Sequence, residues 1–222
     1  MMYFSLDRLA RCTAALAVAG VLAGCAPLVV GGVMVGSTMI ATDRRTAGTQ
    51  LEDQAIELKA ADRVKALATL GHVNVVSYNR IALITGEVPS QADKERVGTA
   101  VAGVENVRGV VNELGIGGNS TFGSRSTDAV IGGKVKATLV DTADLQANAF
   151  KVVVERAVVF LMGRVTQREA DRATEVTRSV SGVQKVVQVF EILSEQELGA
   201  LGKATAGPAP AASAGAAAPA MK

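Results

Sequence analysis

The chain has 222 residues, of which 49% are hydrophobic and only 3% aromatic, and its 23 basic and 21 acidic residues leave a net charge of +2. So small a charge and so few aromatic side chains offer nucleic acid neither an attractive field nor stacking platforms. One histidine and two cysteines exclude His-rich and Cys-rich metal sites and leave a catalytic relay with a single possible base. We therefore expect no enzymatic activity, and no nucleic acid, metal, cofactor or small-molecule substrate.

Residues 1–24 have the pattern of a bacterial export signal. Two arginines precede an apolar stretch, residues 13–21, that is too short to span a bilayer. The stretch ends in Leu-Ala-Gly-Cys at residues 22–25, which resembles the lipobox of bacterial lipoproteins. This resemblance implies cleavage before Cys25 and acylation of Cys25, palmitate included. The alternative is an ordinary signal peptide that happens to contain a cysteine.

A lipidated first residue would place the protein on a membrane. The residue after Cys25 is Ala26, whereas an Asp there usually retains a lipoprotein in the inner membrane, so the resemblance favours the outer membrane, facing the periplasm. Residues 25–46 continue the anchor as a Gly-rich linker. Its apolar part, residues 28–41, contains three glycines and is too short for a transmembrane span.

Two copies of one sequence pattern follow the linker. IALITGEV around Gly86 matches VVFLMGRV around Gly163, and VAGVENV around Gly103 matches VSGVQKV around Gly182. The first pair of glycines is 77 residues apart and the second pair is 79 residues apart. Two matches in the same order indicate an internal repeat.

Each copy predicts the element order α-β-β-α-β. Apolar residues at helical spacing precede two Val- and Ile-rich strands, and a second helix and a final strand complete the unit. A three-stranded sheet is too small to bury enough apolar area alone, so two helices must cover one of its faces. The hairpin strands are antiparallel, whereas the third strand returns by a helical crossover and lies parallel. We expect Gly86 and Gly163 to mark a bulge, a bend or the close approach of a helix, and Gly103 and Gly182 to cap helices.

The glycine spacing and the Gly-Val-x-x-Val ending resemble the BON domain, a small module of bacterial periplasmic and outer-membrane proteins. The stretch at residues 41–50 and the second copy also resemble the dual-BON lipoproteins of the division- and outer-membrane stress-associated lipid-binding family. The resemblance implies an α+β fold of two tandem BON modules, each a three-stranded mixed sheet with two helices on one face. The predicted ranges are 47–118 for BON domain 1, 119–127 for a linker, 128–194 for BON domain 2, and 195–222 for an Ala/Pro-rich disordered tail.

The family resemblance further implies binding to anionic phospholipid and a role in envelope integrity, with the first helix of the second module facing the membrane. In that helix Val130 and Ile131 would enter the interface while Lys134 and Lys136 approach headgroups. Family members can carry a bulky aromatic residue where this chain has Val130, which predicts weaker binding. Two alternatives stay open. Ile131 and Val135 could belong to the core with the lysines as a solvated face, or the modules could form a scaffold for other envelope proteins, tethered to the membrane only through Cys25.

Overall fold

The computed structural model describes residues 43–67 and 71–205. The predicted signal, Cys25 and nearly all of the Gly-rich linker lie outside the described residues, as does the end of the tail. In chain order the elements are α1 (Ala47–Ala66), β1 (His72–Tyr78), β2 (Ile81–Val88), α2 (Gln91–Ala102), β3 (Gly109–Asn112), β4 (Gly115–Ile116), α3 (Phe122–Asp141), β5 (Phe150–Glu155), β6 (Val158–Val165), α4 (Gln167–Arg178), β7 (Lys185–Ile192) and α5 (Glu195–Thr205).

The prediction of two α-β-β-α-β modules in an α+β fold is confirmed. In the first module β1 pairs antiparallel with β2, and β3 pairs parallel with β2. The second module repeats this arrangement with β5, β6 and β7. A short fourth strand in the first module, β4, continues the parallel pairing to the end of β2, so β3 and β4 together occupy the place of the single strand β7.

Helix α1 of the first module and helix α3 of the second bury one apolar stripe each. Ile56, Ala60 and Val64 of α1 recur every four residues and pack on their sheet, and three residues of α3 do the same in the second module. Those three residues of α3 are Ile131, Val135 and Leu139. Burying a Val, Leu or Ile side chain contributes roughly 1.5–3 kcal/mol, so these stripes fix how each helix rotates on its sheet.

A buried aspartate in the first helix of each module stabilises a tight hairpin turn that contains no glycine. All four turn residues of the two hairpins have positive φ, between 49° and 68°, although none is glycine. The Asp53 carboxylate of α1 accepts hydrogen bonds from the backbone N–H groups of the first turn, at 2.8 and 2.7 Å, and Asp128 of α3 does so for the second, at 2.9 and 2.8 Å. These bonds offset the cost of the left-handed backbone and tie each helix to its hairpin.

The faces of the two sheets that carry no helices pack against each other. Tyr78 and Leu83 from the first module and Phe160 and Met162 from the second form one buried cluster, surrounded by valines of both sheets. The two modules therefore share a core. The sequence pattern predicts the helices that cover one face of each sheet, but it does not predict this second contact.

The segment before α1 binds the second module through a buried ion pair. Arg44, which is 7% exposed, donates to both carboxylate oxygens of Glu169 at 2.8 and 2.7 Å, and also to the Arg164 carbonyl oxygen at 2.8 Å. Burial raises the pKa of the Glu169 carboxyl, but hydrogen bonds from Arg44 and from the Thr166 backbone amide outweigh it and hold this pKa below its usual value. The predicted linker 25–46 thus ends in an ordered, charged contact.

Two predicted boundaries differ from the structure because polar caps start helices there. Helix α3 begins at Phe122, inside the predicted linker 119–127, where the Thr121 hydroxyl accepts from the Ser124 N–H at 3.2 Å. Helix α5 occupies residues 195–205 of the predicted disordered tail. The Ser194 hydroxyl accepts from the Glu197 N–H at 3.2 Å, and the Glu197 carboxylate accepts from the Ser194 N–H at 2.8 Å, so both orphan donors are satisfied.

Candidate functional site

The outward face of α3 combines exposed apolar side chains with cations. Phe122, Val130 and Val140 are 84%, 58% and 68% exposed. Arg125, Lys134 and Lys136 are exposed on the same helix. The acidic side chains of α3 are Asp128, which is buried at the hairpin, and Asp141 at the last residue. From residue 122 to residue 140, therefore, no carboxylate of this helix faces solvent.

The four predicted lipid-binding residues do not share one face. Val130 and Lys134 are exposed and lie one turn apart, as expected. Lys136 is also exposed, but it is two positions from Lys134, about 200° around the helix, so the two lysines flank the apolar residues on opposite sides. Ile131 is only 2% exposed and packs in the core of the second module. Its placement in the membrane interface is corrected, because exposing it would open that core.

Phe122 and Arg125 are residues of this face that the sequence analysis missed. Both fall in the range assigned to a linker, although Thr121 is of a residue type that helix N-caps favour. Phe122 supplies an exposed aromatic ring at the start of α3, two turns before Val130.

The equivalent helix of the first module has a different surface. Helix α1 exposes Leu51 and Leu58, at 67% and 71%, but its three basic residues stand among four acidic ones. Lys59, the counterpart of Lys134, lies 2.7 Å from the Glu105 carboxylate, whereas the ammonium groups of Lys134 and Lys136 have no hydrogen bond or ion pair within the described residues. An excess of positive over negative charge thus distinguishes α3 from α1.

Gly86 and Gly163 lie where the neighbouring strand comes close. Gly86 has φ 113°, and a Cβ there would overlap the His72 carbonyl oxygen. At Gly163 a Cβ would lie 2.6 Å from the Ala149 carbonyl oxygen. In both modules the contact is with the residue at or just before the start of the antiparallel partner strand, so these glycines allow the first two strands to meet.

The other two predicted structural glycines differ from each other. Gly103 is the C-cap residue of α2. Gly182 lies three residues beyond the C-cap of α4, Ser179, and has φ 100°. A Cβ at Gly182 would lie 3.0 Å from the Ile131 side chain. Gly182 therefore shapes the loop that packs against α3 and does not cap α4 as the sequence analysis expected.

A group of carboxylates lies where the two modules meet. Glu87 of β2 is 1% exposed; one of its oxygens accepts from the Ser120 N–H at 3.2 Å, and the other lies 3.5 Å from Nε of Arg156. Burial raises the pKa of the Glu155 carboxyl, and the negative charges of Glu87 and Asp128 raise it further. Within the described residues, one buried carboxylate oxygen of Glu87 and one of Glu155 accept no hydrogen bond.

The described residues contain no group of three or more His, Cys, Asp or Glu side chains that could hold a metal ion. In the same part of the chain, no helix is long and apolar enough to cross a bilayer. The arrangement on α3 offers a chemistry of attachment, with cations for phosphate oxygens and an aromatic ring for the apolar layer beneath them.

Comparison with known proteins agrees with the two modules. The chain matches the BON domain over residues 52–118 and 127–194. It is 38% identical over 175 residues to Outer membrane lipoprotein DolP of Haemophilus influenzae, covering 78% of this chain and 90% of that protein. It is 35% identical to the 21 kDa hemolysin of Actinobacillus pleuropneumoniae, covering 67% and 78%, and 29% identical to Osmotically-inducible protein Y of Escherichia coli, covering 63% and 72%.

Proposed function

The chain belongs to the BON-domain family of dual-BON outer-membrane lipoproteins, and from that premise we propose that it binds anionic phospholipid through α3 and supports envelope integrity without catalysing a reaction. The observation that carries this proposal is the outward face of α3, where exposed apolar side chains and three cations occur without an exposed carboxylate before residue 141.

The magnitudes favour a surface that binds by several weak contacts. Each cation near an anionic surface contributes on the order of 1 kcal/mol, and burying the Phe122 ring adds roughly 1.5–3 kcal/mol. Arg125, Lys134 and Lys136 together with the ring therefore supply a few kcal/mol, which holds a protein that is already tethered nearby. In this binding mode Ile131 stays in the core of the second module and does not contact lipid.

The tether in this proposal is the acylated Cys25, with the protein on the outer membrane and facing the periplasm. Three acyl chains, as in a typical bacterial lipoprotein, bury enough methylene groups to hold a protein firmly. Replacement Cys25→Ser should abolish fatty-acid labelling and release the protein from membranes. A Cys25→Ser protein that still incorporates labelled palmitate would contradict the lipobox assignment.

Vesicle binding tests the lipid proposal. The chain without residues 1–25, which keeps every described residue, should sediment with vesicles that contain phosphatidylglycerol and much less with vesicles of phosphatidylcholine alone. Equal and negligible binding to both would contradict the proposal and favour the alternative, a scaffold for envelope proteins that is tethered only by its lipidated cysteine.

A matched pair of variants tests the aromatic contact. Phe122→Ala should weaken binding to the anionic vesicles about tenfold, because the ring can no longer enter the interface. Leu58→Ala on α1 removes a similarly exposed apolar side chain from the other module and should leave binding unchanged. Equal losses in both variants would contradict the assignment to α3.

A further inference from the structure

A groove runs between α3 and β5, the edge strand of the second sheet. Its wider part has a volume of about 480 Å³ and is walled by the glycine pair Gly132 and Gly133, with Val152 and Val154 of β5 on the opposite side. A second cavity of about 320 Å³ continues the groove past Lys136 and Val152 towards Phe150. The groove therefore follows the full length of the edge strand.

The hairpin register shows which backbone groups of β5 point into this groove. Glu155 and Val158 flank the two-residue turn and form a hydrogen-bonded pair, so the next pair, Val154 with Val159, is a non-hydrogen-bonded one. The N–H and C=O of Val154 consequently point away from β6, and those of Val152 do so by the same alternation. Within the described residues nothing else bonds these four groups.

In the first module, side chains bind the backbone groups of one position on the equivalent edge. Ser77 occupies the place of Val154, since it pairs with Ala82 as Val154 pairs with Val159. Its N–H donates to the Glu57 carboxylate at 2.8 Å, and its carbonyl oxygen accepts from Lys151 Nζ at 3.1 Å. Both polar groups of this edge position are therefore satisfied inside the molecule.

Gly132 is the counterpart of Glu57. It stands four residues after Asp128, as Glu57 stands four residues after Asp53, and each aspartate binds the hairpin turn of its own module. The second module thus lacks the side chain that binds the edge N–H of Ser77 in the first.

Packing does not require the glycine pair. A Cβ at Gly132 would make an ordinary contact of 3.5 Å with the Val154 side chain, and one at Gly133 would meet nothing within 4 Å. Two glycines inside a helix cost about 1 kcal/mol each relative to alanine. Their effect on the structure is to leave the groove wide and the edge of β5 uncovered.

We propose that this groove binds an extended segment of a protein partner, which adds to β5 as a further strand. A main chain supplies alternating donors and acceptors, which match the N–H and C=O groups of Val152 and Val154, whereas a phosphate group only accepts. Lys136 is the charged residue midway along the groove, and the carboxylates Asp128 and Glu155 lie with Arg125 at the hairpin end. The segment that fits carries small apolar side chains and an acidic residue opposite Lys136.

Amide hydrogen exchange of the free protein gives the first test. In the chain without residues 1–25, the Val152 and Val154 amides should exchange fast despite lying in a strand, because they have no acceptor. Variant Gly132→Gln copies the side-chain cap of the first module and should slow exchange at Val154. Strong protection of both amides in the unmodified chain would contradict the open edge.

Peptide binding gives the second test. The probe is an acetylated peptide amide of sequence TVEVT, followed by amide chemical shifts. It should shift Val152 and Val154 in a saturable way and protect them from exchange, and TVKVT should bind less well because it places a cation opposite Lys136. Gly132→Gln should weaken binding of TVEVT about tenfold or more, since it fills the groove and occupies the Val154 donor.

Ala137→Gln is the matched control, because Ala137 is exposed on α3 outside the groove. It should leave peptide binding unchanged. Absence of shifts at Val152 and Val154 at millimolar TVEVT, or equal binding by the Gly132→Gln protein, would overturn the proposal. A third result would also overturn it: phosphatidylglycerol vesicles, and not the peptide, perturb these two amides, and the Gly132→Gln protein binds those vesicles less well. The groove would then be a headgroup site.

Discussion

Replacing Arg44 by alanine should destabilise the protein strongly and in a pH-dependent manner. The Arg44 guanidinium and the Glu169 carboxylate are 6% and 5% exposed and lie 2.7 Å apart. Removing one partner of such a pair leaves an uncompensated buried charge and costs about 3–5 kcal/mol. Because a folded domain is stable by only about 5–15 kcal/mol, this loss should be large in a denaturant titration.

The pH dependence distinguishes the lost ion pair from lost packing. In the unmodified protein the pKa of Glu169 is lowered, so its contribution is present above the ordinary value of 4.5 and is lost as the pH falls through the lowered pKa. In the Arg44→Ala protein the hydrogen bonds and charge of Arg44 are gone, so burial should raise the pKa of Glu169. The variant therefore recovers stability as the carboxyl becomes protonated, and the difference between the two proteins should shrink from neutral pH towards pH 4.5.

Urea unfolding, followed by Tyr78 fluorescence, measures this difference. The chain has no tryptophan and two tyrosines, and removal of residues 1–25 leaves Tyr78 alone. The control Arg44→Ala with Glu169→Gln removes the unpaired charge and should recover part of the loss at neutral pH. A loss below about 1 kcal/mol for Arg44→Ala, or a loss that is the same at neutral pH and at pH 4.5, would refute the buried ion pair.

Three further predictions concern other parts of the fold. Glu155→Gln should stabilise the protein at neutral pH, because burial and neighbouring carboxylates make the charged form of Glu155 costly, as its raised pKa reflects. In urea titrations this gain in stability should disappear as the pH falls below 4.5. A gain that is independent of pH would contradict the carboxylate cluster. Gly86→Ala should lower the free energy of unfolding by about 2 kcal/mol or more, as measured by thermal unfolding. In the control Gly118→Ala the added Cβ has no atom within 4 Å, so stability should change by less than about 0.5 kcal/mol. Similar effects of the two substitutions would refute the close approach at Gly86. Burial raises the pKa of Tyr78 to about 12, so absorbance at alkaline pH should show the hydroxyl ionising near that value in the folded chain, and ionisation near 10 before unfolding would place Tyr78 outside the shared core.

The sequence predicted the module because periodicity and glycine spacing report local requirements. It did not predict the contact between modules, although the signal was present. Strand β2 reads as a continuous apolar run from Ile81 to Ile84, and β6 from Val158 to Met162, which is typical of strands buried on both faces. Helices on one face of the sheet explain the burial of only those side chains that point towards the helices, about half of the run. The second face requires another sheet, and the repeat itself supplied it.

The site was predicted less completely, since exposure depends on how a helix rotates on its sheet. The sequence placed Val130 and Ile131 together because they are adjacent, but the stripe through Ile131, Val135 and Leu139 turns Ile131 inwards and Val130 outwards. Arg44 shows a different limit. Its partner Glu169 is 125 residues away, and no local pattern links two such positions.

Charge reversal on α3, compared with the same change on α1, tests the central claim most directly. Lys134→Glu with Lys136→Glu removes two unpaired cations from the proposed membrane face, and Lys59→Glu with Lys65→Glu makes an equal change of net charge on exposed positions of α1. Binding to phosphatidylglycerol vesicles should fall about thirtyfold or more for the α3 pair, as expected from roughly 1 kcal/mol for each cation. It should stay within about twofold for the α1 pair. Unchanged affinity of the α3 pair, or equal losses in both pairs, would contradict the account.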